Sequence, residues 1–330
     1  MPNQIEIISL EDLVPSNHQY RKFIGVFDFA KVNHHLKSVE KDANYKGYGV
    51  DRLFRCLLLQ FMENISDREL ERMIQENNSA KWFCGFTLSE TTPDFSVFSR
   101  ARSRIGTNKL SKIFTLLRNQ MRCKGFMSEV FTFVDASHLV SKAALWEERD
   151  ALIKQKYDKI NNDNISKVAH DKDAKIGCKG GSKYWYGYKK HISVDMQSGL
   201  INKVAITPAN LTDAQGFCHV CPDGGAVYAD KGYCKKPSII AAKRKNVHLA
   251  AIKNNNMIGK NRELDRWITG IRSPYESVFS KQRRRVRYCG IAKNQFAEFM
   301  NAICFNMRRI LVLEKQFSGE TRLPFRYNCA

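Results

Sequence analysis

Apolar positions in the first third of the chain follow a helical rhythm. Between residues 48 and 122, large apolar side chains recur every three or four residues, as they do along one face of an amphipathic helix. The clearest series consists of Leu53, Phe54, Leu57, Leu58 and Phe61. This spacing predicts several short helices, and we assign residues 1–125 to an all-α N-terminal domain.

Local signals mark where two of these helices begin. Residues 66–69 have the form of a capping box, which predicts a helix from near Asp67. Residues 92–96 indicate a turn into a further helix, which carries Arg100, Arg102 and Arg104. Basic helices suit a module that binds DNA ends, although an ordinary helical domain fits the pattern about equally well.

The hydrophobic period changes after residue 125. The run 130–134 is rich in β-branched and aromatic residues, which predicts a strand that ends at Asp135. Residues 184–206 predict a hairpin around a glycine turn at 197–199. Residues 226–229 predict a short buried strand ending at Asp230, and 247–252 a further strand. Together these elements predict an α/β catalytic domain over residues 126–315, with a mixed sheet flanked by helices.

Polar and apolar stretches complete the outline of this second domain. Residues 140–182 contain few large apolar side chains and many lysines and aspartates, so we expect a polar, basic insertion that becomes ordered on binding a ligand. Residues 293–313 carry a stripe at helical spacing that we interpret as core packing: Phe296, Phe299, Met300, Ile303, Met307 and Ile310. Residues 316–330 form a C-terminal tail.

Charge narrows the choice of partner. The chain has 54 Lys and Arg against 33 Asp and Glu, a net charge of +21, so it should attract polyanions. Nucleic acid is the leading partner, with a merely solvated basic surface as the alternative. No apolar run approaches a membrane span, so we expect no membrane partner and a cytoplasmic, nucleoid-associated protein.

The segment Cys218-His219-Val220-Cys221 offers too few ligands to predict structural zinc, and the role of its cysteines stays open.

Three acidic residues are candidates for metal-dependent chemistry. Asp135 and Asp230 each follow an apolar strand-like run, so both are expected at the ends of central, adjacent strands. Glu276 is ambiguous, because Ser273-Pro274-Tyr275-Glu276 also has the form of a capping box at a helix N-terminus. Three carboxylates suffice to hold Mg²⁺ or Mn²⁺, and two such ions can activate water and stabilise the charges that develop when a phosphodiester is broken.

Basic side chains near these acids are candidate DNA contacts. The densest charge lies just beyond Glu276, in Lys281, Arg283, Arg284, Arg285 and Arg287, for which a solvated basic turn is the alternative. Lys189 and Lys190 stand beside a series of aromatic residues that could stack on unpaired bases: Tyr184, Trp185, Tyr186 and Tyr188. Ordinary strand packing explains those aromatics better. We expect His191 to be structural or to support the site indirectly.

The residues also carry a resemblance to a known family. The chain from Tyr186-Gly187-Tyr188-Lys189 through Val194-Asp195 and Ser198-Gly199-Leu200 to Ala229-Asp230-Lys231-Gly232-Tyr233 resembles the DDE transposases of bacterial insertion sequences, specifically the insertion-sequence-five group. The likeness continues through residues 272–279 and 287–294, and covers most of the chain between residues 48 and 313.

This resemblance implies an RNase H-like catalytic fold with Asp135, Asp230 and Glu276 as catalytic and metal-binding acids. In the family, the glutamate lies in the pattern Tyr, two residues, Arg, three residues, Glu, six residues, Lys. Arg272, Glu276 and Arg283 fall on that spacing, while Thr269 replaces the tyrosine and Arg283 the lysine. Arg272 is therefore a further candidate DNA contact, although Pro274 suggests that it precedes the helix and need not share a face with Glu276.

The function expected from the sequence is DNA transposition. Such an enzyme binds the terminal inverted repeats of its element, hydrolyses phosphodiester bonds there and joins the freed 3′-hydroxyl to target DNA, as part of a homo-oligomer that pairs two ends. The alternatives are a nuclease that cuts without joining, a catalytically inactive or domesticated DNA-binding copy, and a basic RNA-binding protein, which would leave the three acids unexplained.

Overall fold

The computed structural model describes residues 8–26, 28–40, 47–142, 161–179, 183–280 and 284–317. Within this part the chain forms two compact units. The first contains the described residues up to Cys123 together with residues 303–317, and the second contains residues 124–302. None of the helices in the described ranges is long and apolar enough to cross a membrane.

The first unit is helical, as the sequence predicts. Its helices are α1 (Leu10–Leu13), α2 (Gln19–Val26), α3 (Phe29–Glu40), α4 (Val50–Glu63), α5 (Asp67–Glu76), α6 (Asn78–Cys84) and α7 (Phe95–Cys123). The capping box before α5 is confirmed: Ser66 Oγ accepts a hydrogen bond from the Glu69 N–H, and the Glu69 carboxylate accepts one from the Ser66 N–H. The predicted series on α4 is buried, so the helical period identified the core.

Helix α7 contains one kink. Gly106 has φ 64° and ψ 164°, a backbone conformation available almost only to glycine, and it divides the helix into two α-helical segments. Buried residues follow both segments at helical spacing: Phe98, Ala101, Ile105, Leu110, Ile113, Phe114, Leu117 and Met121. The kink therefore changes the helix direction while both halves keep an apolar side in the core.

The second unit is built on a six-stranded sheet. Its strands are β1 (Phe131–Val140), β2 (Lys175–Lys179), β3 (Lys183–Asp195), β4 (Ile201–Pro208), β5 (Ala226–Ala229) and β6 (His248–Ala251). Strands β1, β3 and β4 pair antiparallel, β5 is parallel to β1, and β6 is parallel to β5. The spatial order β4-β3-β1-β5-β6, three antiparallel strands followed by two parallel ones, is that of an RNase H-like sheet, so the expected fold class is confirmed.

Within the described ranges, five α-helices and one 3₁₀ turn accompany this sheet or follow it in the chain. They are α8 (Asn162–Val168), α9 (Asp213–Val220), a 3₁₀ turn (Lys231–Tyr233), α10 (Lys236–Arg244), α11 (Arg262–Ser280) and α12 (Ile291–Phe317). One core cluster fills the space between the sheet and α9 and α10, with Val134, Phe217, Val220, Val227 and Tyr233 at its centre. The positions of Asp135 and Asp230 follow from this sheet and its connections.

Helix α12 crosses the boundary between the two units, while the predicted catalytic domain runs to residue 315. Its residues up to Ala302 group with the sheet, and those from Ile303 group with the helical unit. Contacts within the helical unit explain this: Cys304 Sγ lies 3.6 Å from the Leu58 carbonyl oxygen, and Arg308 donates a hydrogen bond to the Met62 carbonyl. The predicted apolar stripe is buried along the whole helix, which confirms its interpretation as core.

Three local expectations were wrong. Asp135 does not end its strand, because β1 continues to Val140 by pairing with β3. The described second half of the 140–182 insertion is not an unstructured segment: it forms α8 and β2, and β2 pairs with β3. Residues 143–160 lie outside the described part. Ser273 and Pro274 do not begin a helix, because α11 starts at Arg262 and contains Pro274 in its interior.

Candidate active site

The register of the two central parallel strands brings two of the predicted acids together. Val134 on β1 is opposite Ala229 on β5 in the last pair of that ladder. The next residues, Asp135 and Asp230, are therefore neighbours on strands whose usual separation is about 4.8 Å. Each carboxylate also accepts a short-range backbone hydrogen bond: Asp135 from the Ala136 N–H at 2.8 Å, and Asp230 from the Lys231 N–H at 2.7 Å.

The two acids differ in their surroundings. Asp230 is the N-cap of the 3₁₀ turn, and its side chain is 47% exposed. Burial raises the pKa of Asp135 to about 6, and the nearby carboxylates of Asp213 and Asp230 also raise it, whereas the Ala136 N–H and the charge of Arg272 lower it. A divalent cation would favour the ionised form of such a partly buried carboxylate.

Arg272 lies inside this site. It is 6% exposed, its Nη1 is 3.6 Å from Asp230 Oδ1, and its guanidinium carbon is 5.3 Å from the centre of the Phe133 ring. Its buried Nε has no hydrogen-bond partner among the described residues. The structure therefore places this predicted DNA contact against the acids, where it supplies a fixed positive charge.

The third predicted acid is carried by the helix that also bears Arg272. Helix α11 packs against β1 and β5, and Glu276 is four residues after Arg272, one helical turn further along. The two positions thus share a side of α11, contrary to the expectation from Pro274. The side chain of Glu276 lies outside the described part of the structure.

Two further residues near the acids were not predicted as part of the site. Tyr233, on the turn after Asp230, is 1% exposed, and its hydroxyl has no hydrogen-bond partner among the described residues. Burial raises its pKa, with smaller contributions from Asp135 and Asp213. Asp213 opens α9 and pairs with Lys189, with Nζ 2.9 Å from Oδ1. The one sequence signal for Tyr233 is its position three residues after Asp230, in the turn that follows strand β5.

The donor set suits a hard divalent cation. Adjacent carboxylate oxygens are the ligands that Mg²⁺ and Mn²⁺ prefer, and Mg²⁺ keeps several waters that can bond to nearby polar groups. The buried, unpartnered hydroxyl of Tyr233 is one such group. Among the described side chains, which do not include that of Glu276, no group of three or more His, Cys, Asp or Glu lies in a metal-binding arrangement.

The predicted basic run is described only in part. Lys281 and Arg283 lie outside the described residues. Arg284 and Arg285 are exposed and Arg287 is half-buried. The backbone of this segment is tied to the end of β1, because the Val140 N–H donates to the Arg284 carbonyl and the Val286 N–H donates to the Val140 carbonyl. The exposed guanidinium groups therefore stand at the far end of the strand that bears Asp135.

The two lysines on β3, Lys189 and Lys190, each pair with a carboxylate, and they differ in how deeply they are buried. Lys189 is largely buried in its pair with Asp213. Lys190 is 1% exposed and its Nζ is 3.2 Å from the carboxylate of Glu298, so in this structure it is not offered to DNA. Among the neighbouring aromatics, Trp185, Tyr186 and Tyr188 are buried and Tyr184 is 66% exposed, which supports strand packing over base stacking for three of the four.

His191 is also a core residue. It is fully buried, its Nε2 is 2.9 Å from Thr207 Oγ1, and burial lowers its pKa to about 4. It is therefore neutral near pH 7, and its role is structural. Cys218 is exposed and Cys221 is buried, and the described part of the chain gives them no metal-binding companions.

These features define a class of protein: an RNase H-like sheet with two acids side by side on its central parallel strands and a helix carrying a third acid packed against them. The family comparisons agree. Residues 8–104 match the model described as "Transposase domain (DUF772)", and residues 141–307, just over half of the chain, match the "Transposase DDE domain". The chain belongs to the DDE transposase family, whose members are polynucleotidyl transferases and endonucleases that use divalent metal. The second match includes Asp230 and Glu276 and begins six residues after Asp135.

The chain is also similar to individual proteins. The chain is 26% identical over 210 residues to the transposase for insertion sequence element IS1106 of Neisseria meningitidis serogroup B, covering 60% of this chain and 72% of that protein. Among solved structures it is similar to a piggyBac transposase synaptic complex with hairpin DNA, with a TM-score of 0.44 and 8% identity, over 93% of this chain and 77% of that one. The family match establishes a DNA transposase.

Proposed function

We propose that this transposase binds the terminal inverted repeats of its own element, hydrolyses phosphodiester bonds at the element ends and joins the freed 3′-hydroxyl to target DNA. The observation that supports this most directly is the adjacency of Asp135 and Asp230 beside Arg272, with Glu276 one turn further along the same helix. A transposase that had lost its chemistry would be under no requirement to keep this arrangement.

We assign the metal-binding role to Asp135, Asp230 and Glu276, with Mg²⁺ as the expected ion, Mn²⁺ as a substitute, and two ions per site. When bound, the ions supply an activated water and stabilise charge on the phosphate. The side chains of this protein do the positioning. β1 holds Asp135 rigidly in the ladder with β3, and the 3₁₀ turn holds Asp230. Arg272 neutralises Asp230 and so limits repulsion between the two acids.

The DNA backbone also needs cations along its path to the site, and the exposed arginines that follow α11, near the Val140 end of β1, provide them. We propose that Arg284, Arg285 and Arg287, together with Lys281 and Arg283, hold the DNA backbone. Lys189 remains a candidate because its carboxylate partner is partly exposed. Lys190 is left out, because contact with DNA would require breaking its buried pair with Glu298.

We propose that the helical N-terminal domain, residues 1–125, recognises the element ends. Transposition requires two ends to be held together, so we expect a homo-oligomer on DNA. Because its substrate is DNA, we expect the protein to act at the nucleoid.

The test is cleavage of a supercoiled plasmid that carries the element's own ends, with Mg²⁺ or Mn²⁺. Wild type should cut at the element boundary, and Asp230→Asn should abolish cutting without abolishing binding to the ends. Asp163→Asn is a matched control, since it makes the same change at an exposed aspartate on α8 to which we assign no role.

The outcomes separate the alternatives. Cutting without joining of the 3′-hydroxyl in a strand-transfer assay would indicate a nuclease. Binding to the ends without cutting by wild type, with either metal, would indicate an inactive or domesticated DNA-binding copy.

A further inference from the structure

Helix α7 has an unusual charge composition. Across Phe95–Cys123 it contains seven Lys and Arg residues and no Asp or Glu. Surface helices in ordinary domains mix both signs, because opposite charges one turn apart stabilise the helix. A long helix without carboxylates lacks that stabilisation, which suggests that its charge serves a partner.

The arginines of α7 that precede the kink at Gly106 have two different roles. Arg102 points into the unit and pairs with Asp67 on α5, with Nη1 2.8 Å from Oδ1 and Nη2 2.6 Å from Oδ2. This two-pronged contact fixes α5 against α7. Arg100 and Arg104 are exposed and one helical turn apart. They therefore form a row on the solvent side of the helix.

Small hydroxyl side chains surround that row. Ser96, Ser99 and Ser103 are all exposed on the same segment. The Arg100 guanidinium donates a hydrogen bond of 3.1 Å to Ser96 Oγ. Serine hydroxyls can donate to phosphate oxygens, and their small size lets another molecule approach the helix closely.

Helix α5 adds a third exposed arginine to this side. Arg68 lies over the Phe95 ring at the start of α7, with its guanidinium carbon 4.3 Å from the ring centre. Hydrogen bonds from Ser96 hold the pKa of Asp94 below its usual value, and the charges of Arg100 and Arg68 lower it further. The positive charges of Arg68 and Arg100 therefore both lie near Asp94, at the start of α7.

We propose that Arg68, Arg100 and Arg104, with the intervening serines, form a surface that binds the phosphate backbone of duplex DNA; we name it the α7 surface. This inference rests on the proposed function, since it identifies which face of the N-terminal domain meets DNA. Contacts of this type fix position and orientation and carry no base information. The α7 surface thus contributes affinity that is independent of sequence and sensitive to salt.

The experiment measures binding of the full-length protein to a labelled random-sequence DNA duplex by fluorescence anisotropy across a salt series. The variant combines Arg68→Gln, Arg100→Gln and Arg104→Gln. The matched control combines Lys22→Gln, Lys31→Gln and Lys37→Gln, three exposed lysines of α2 and α3 in the same unit. A third protein carries lysine at the three arginine positions and keeps the charge. Circular dichroism and thermal unfolding check that each variant is folded.

Loss of three phosphate contacts should make the slope of log affinity against log salt less steep by about 2 to 3, because each contact contributes about 0.9. At 150 mM salt this corresponds to binding weaker by at least about tenfold. The lysine variant should retain most of the slope, and the control should change it little.

Equal losses in the variant and the control would overturn the inference, since they would show a diffuse effect of net charge. So would an unchanged slope in the variant while wild type binds the duplex, a result that leaves the proposed function intact. Loss of binding to a hairpin RNA, with duplex DNA binding retained, would assign the α7 surface to RNA. Failure of wild type to bind any DNA duplex would refute the proposed function itself.

Discussion

Replacing Asp135 should stabilise the metal-free protein while destroying its chemistry. Folding raises the pKa of this carboxyl from 3.8 to about 6, chiefly because the side chain is buried. A group whose pKa is raised on folding adds stability below its unfolded pKa, and that stability is lost as pH rises through the folded pKa. At neutral pH the ionised carboxylate therefore costs the fold up to about 3 kcal/mol, since each tenfold change in acid dissociation is about 1.4 kcal/mol.

Asp135→Asn removes this cost and keeps the shape, since the amide oxygen can accept the same hydrogen bond from the Ala136 N–H. It also loses the attraction to Arg272. We expect a net gain of about 1 to 3 kcal/mol in the free energy of unfolding at pH 8. The gain should shrink as pH falls below 6 and disappear only below about 3, where the wild-type carboxyl is protonated in both states.

The measurement is urea unfolding in EDTA at several pH values, with wild type, Asp135→Asn and the exposed control Asp163→Asn side by side. Adding Mg²⁺ should stabilise wild type and leave Asp135→Asn unchanged. If Asp135→Asn is no more stable than wild type at pH 8, or if its advantage is the same at pH 4.5, the assignment of Asp135 as a partly buried, destabilising carboxylate is refuted.

Three other substitutions test the packing that supports the site. Lys190→Met should destabilise the protein by about 3 to 5 kcal/mol in urea unfolding, because it leaves the Glu298 carboxylate buried without its lysine partner. Adding Glu298→Gln should recover much of the lost stability. No recovery would argue against the Lys190–Glu298 pair. Gly216→Ala should cost about 1 to 3 kcal/mol in the same assay, since its methyl group would overlap the His191 ring; a neutral effect would show that the ring can move. Gly106→Ala should cost about 1 to 3 kcal/mol through backbone strain alone, as the space around it is open; a stabilising effect would contradict the kink.

Several elements of the fold could be predicted from the sequence because residues close together in the chain determine them. The capping box at residues 66–69, the hairpin turn at 197–199 and the strand at 226–229 are determined by residues close in sequence. Each formed as expected. The final apolar stripe was also correct, because its helical period is repeated over several turns.

The errors arose where distant residues decide the structure. β1 passes beyond Asp135 because β3 supplies a partner as far as Val140, and a short apolar run cannot reveal that partner. Helix α11 starts earlier than predicted: the side chain of Asn261 accepts hydrogen bonds from the first turn, and the helix then tolerates Pro274 in its interior.

Burial was the second source of error. Arg272 and Lys190 looked like surface cations because nothing nearby in sequence indicates burial. Their acidic partners, Asp230 and Glu298, come from other elements. The pairing of Asp230 with Asp135 was expected in outline, since both follow apolar strands, and the family resemblance supplied Glu276.

The four-residue parallel ladder between β1 and β5 has a consequence for how such genes can change over time. The 85 residues between Val140 and Ala226 include β3, β4 and α9, which belong to the sheet and its core, but the connections outside these elements can change in length, since loop length costs little free energy. An insertion of one residue among the four paired positions of β1 or β5 is different, because it would turn Asp135 or Asp230 to the opposite face of the sheet. Length variation among related elements should therefore collect outside these core elements, while the number of paired positions between β1 and β5 stays at four.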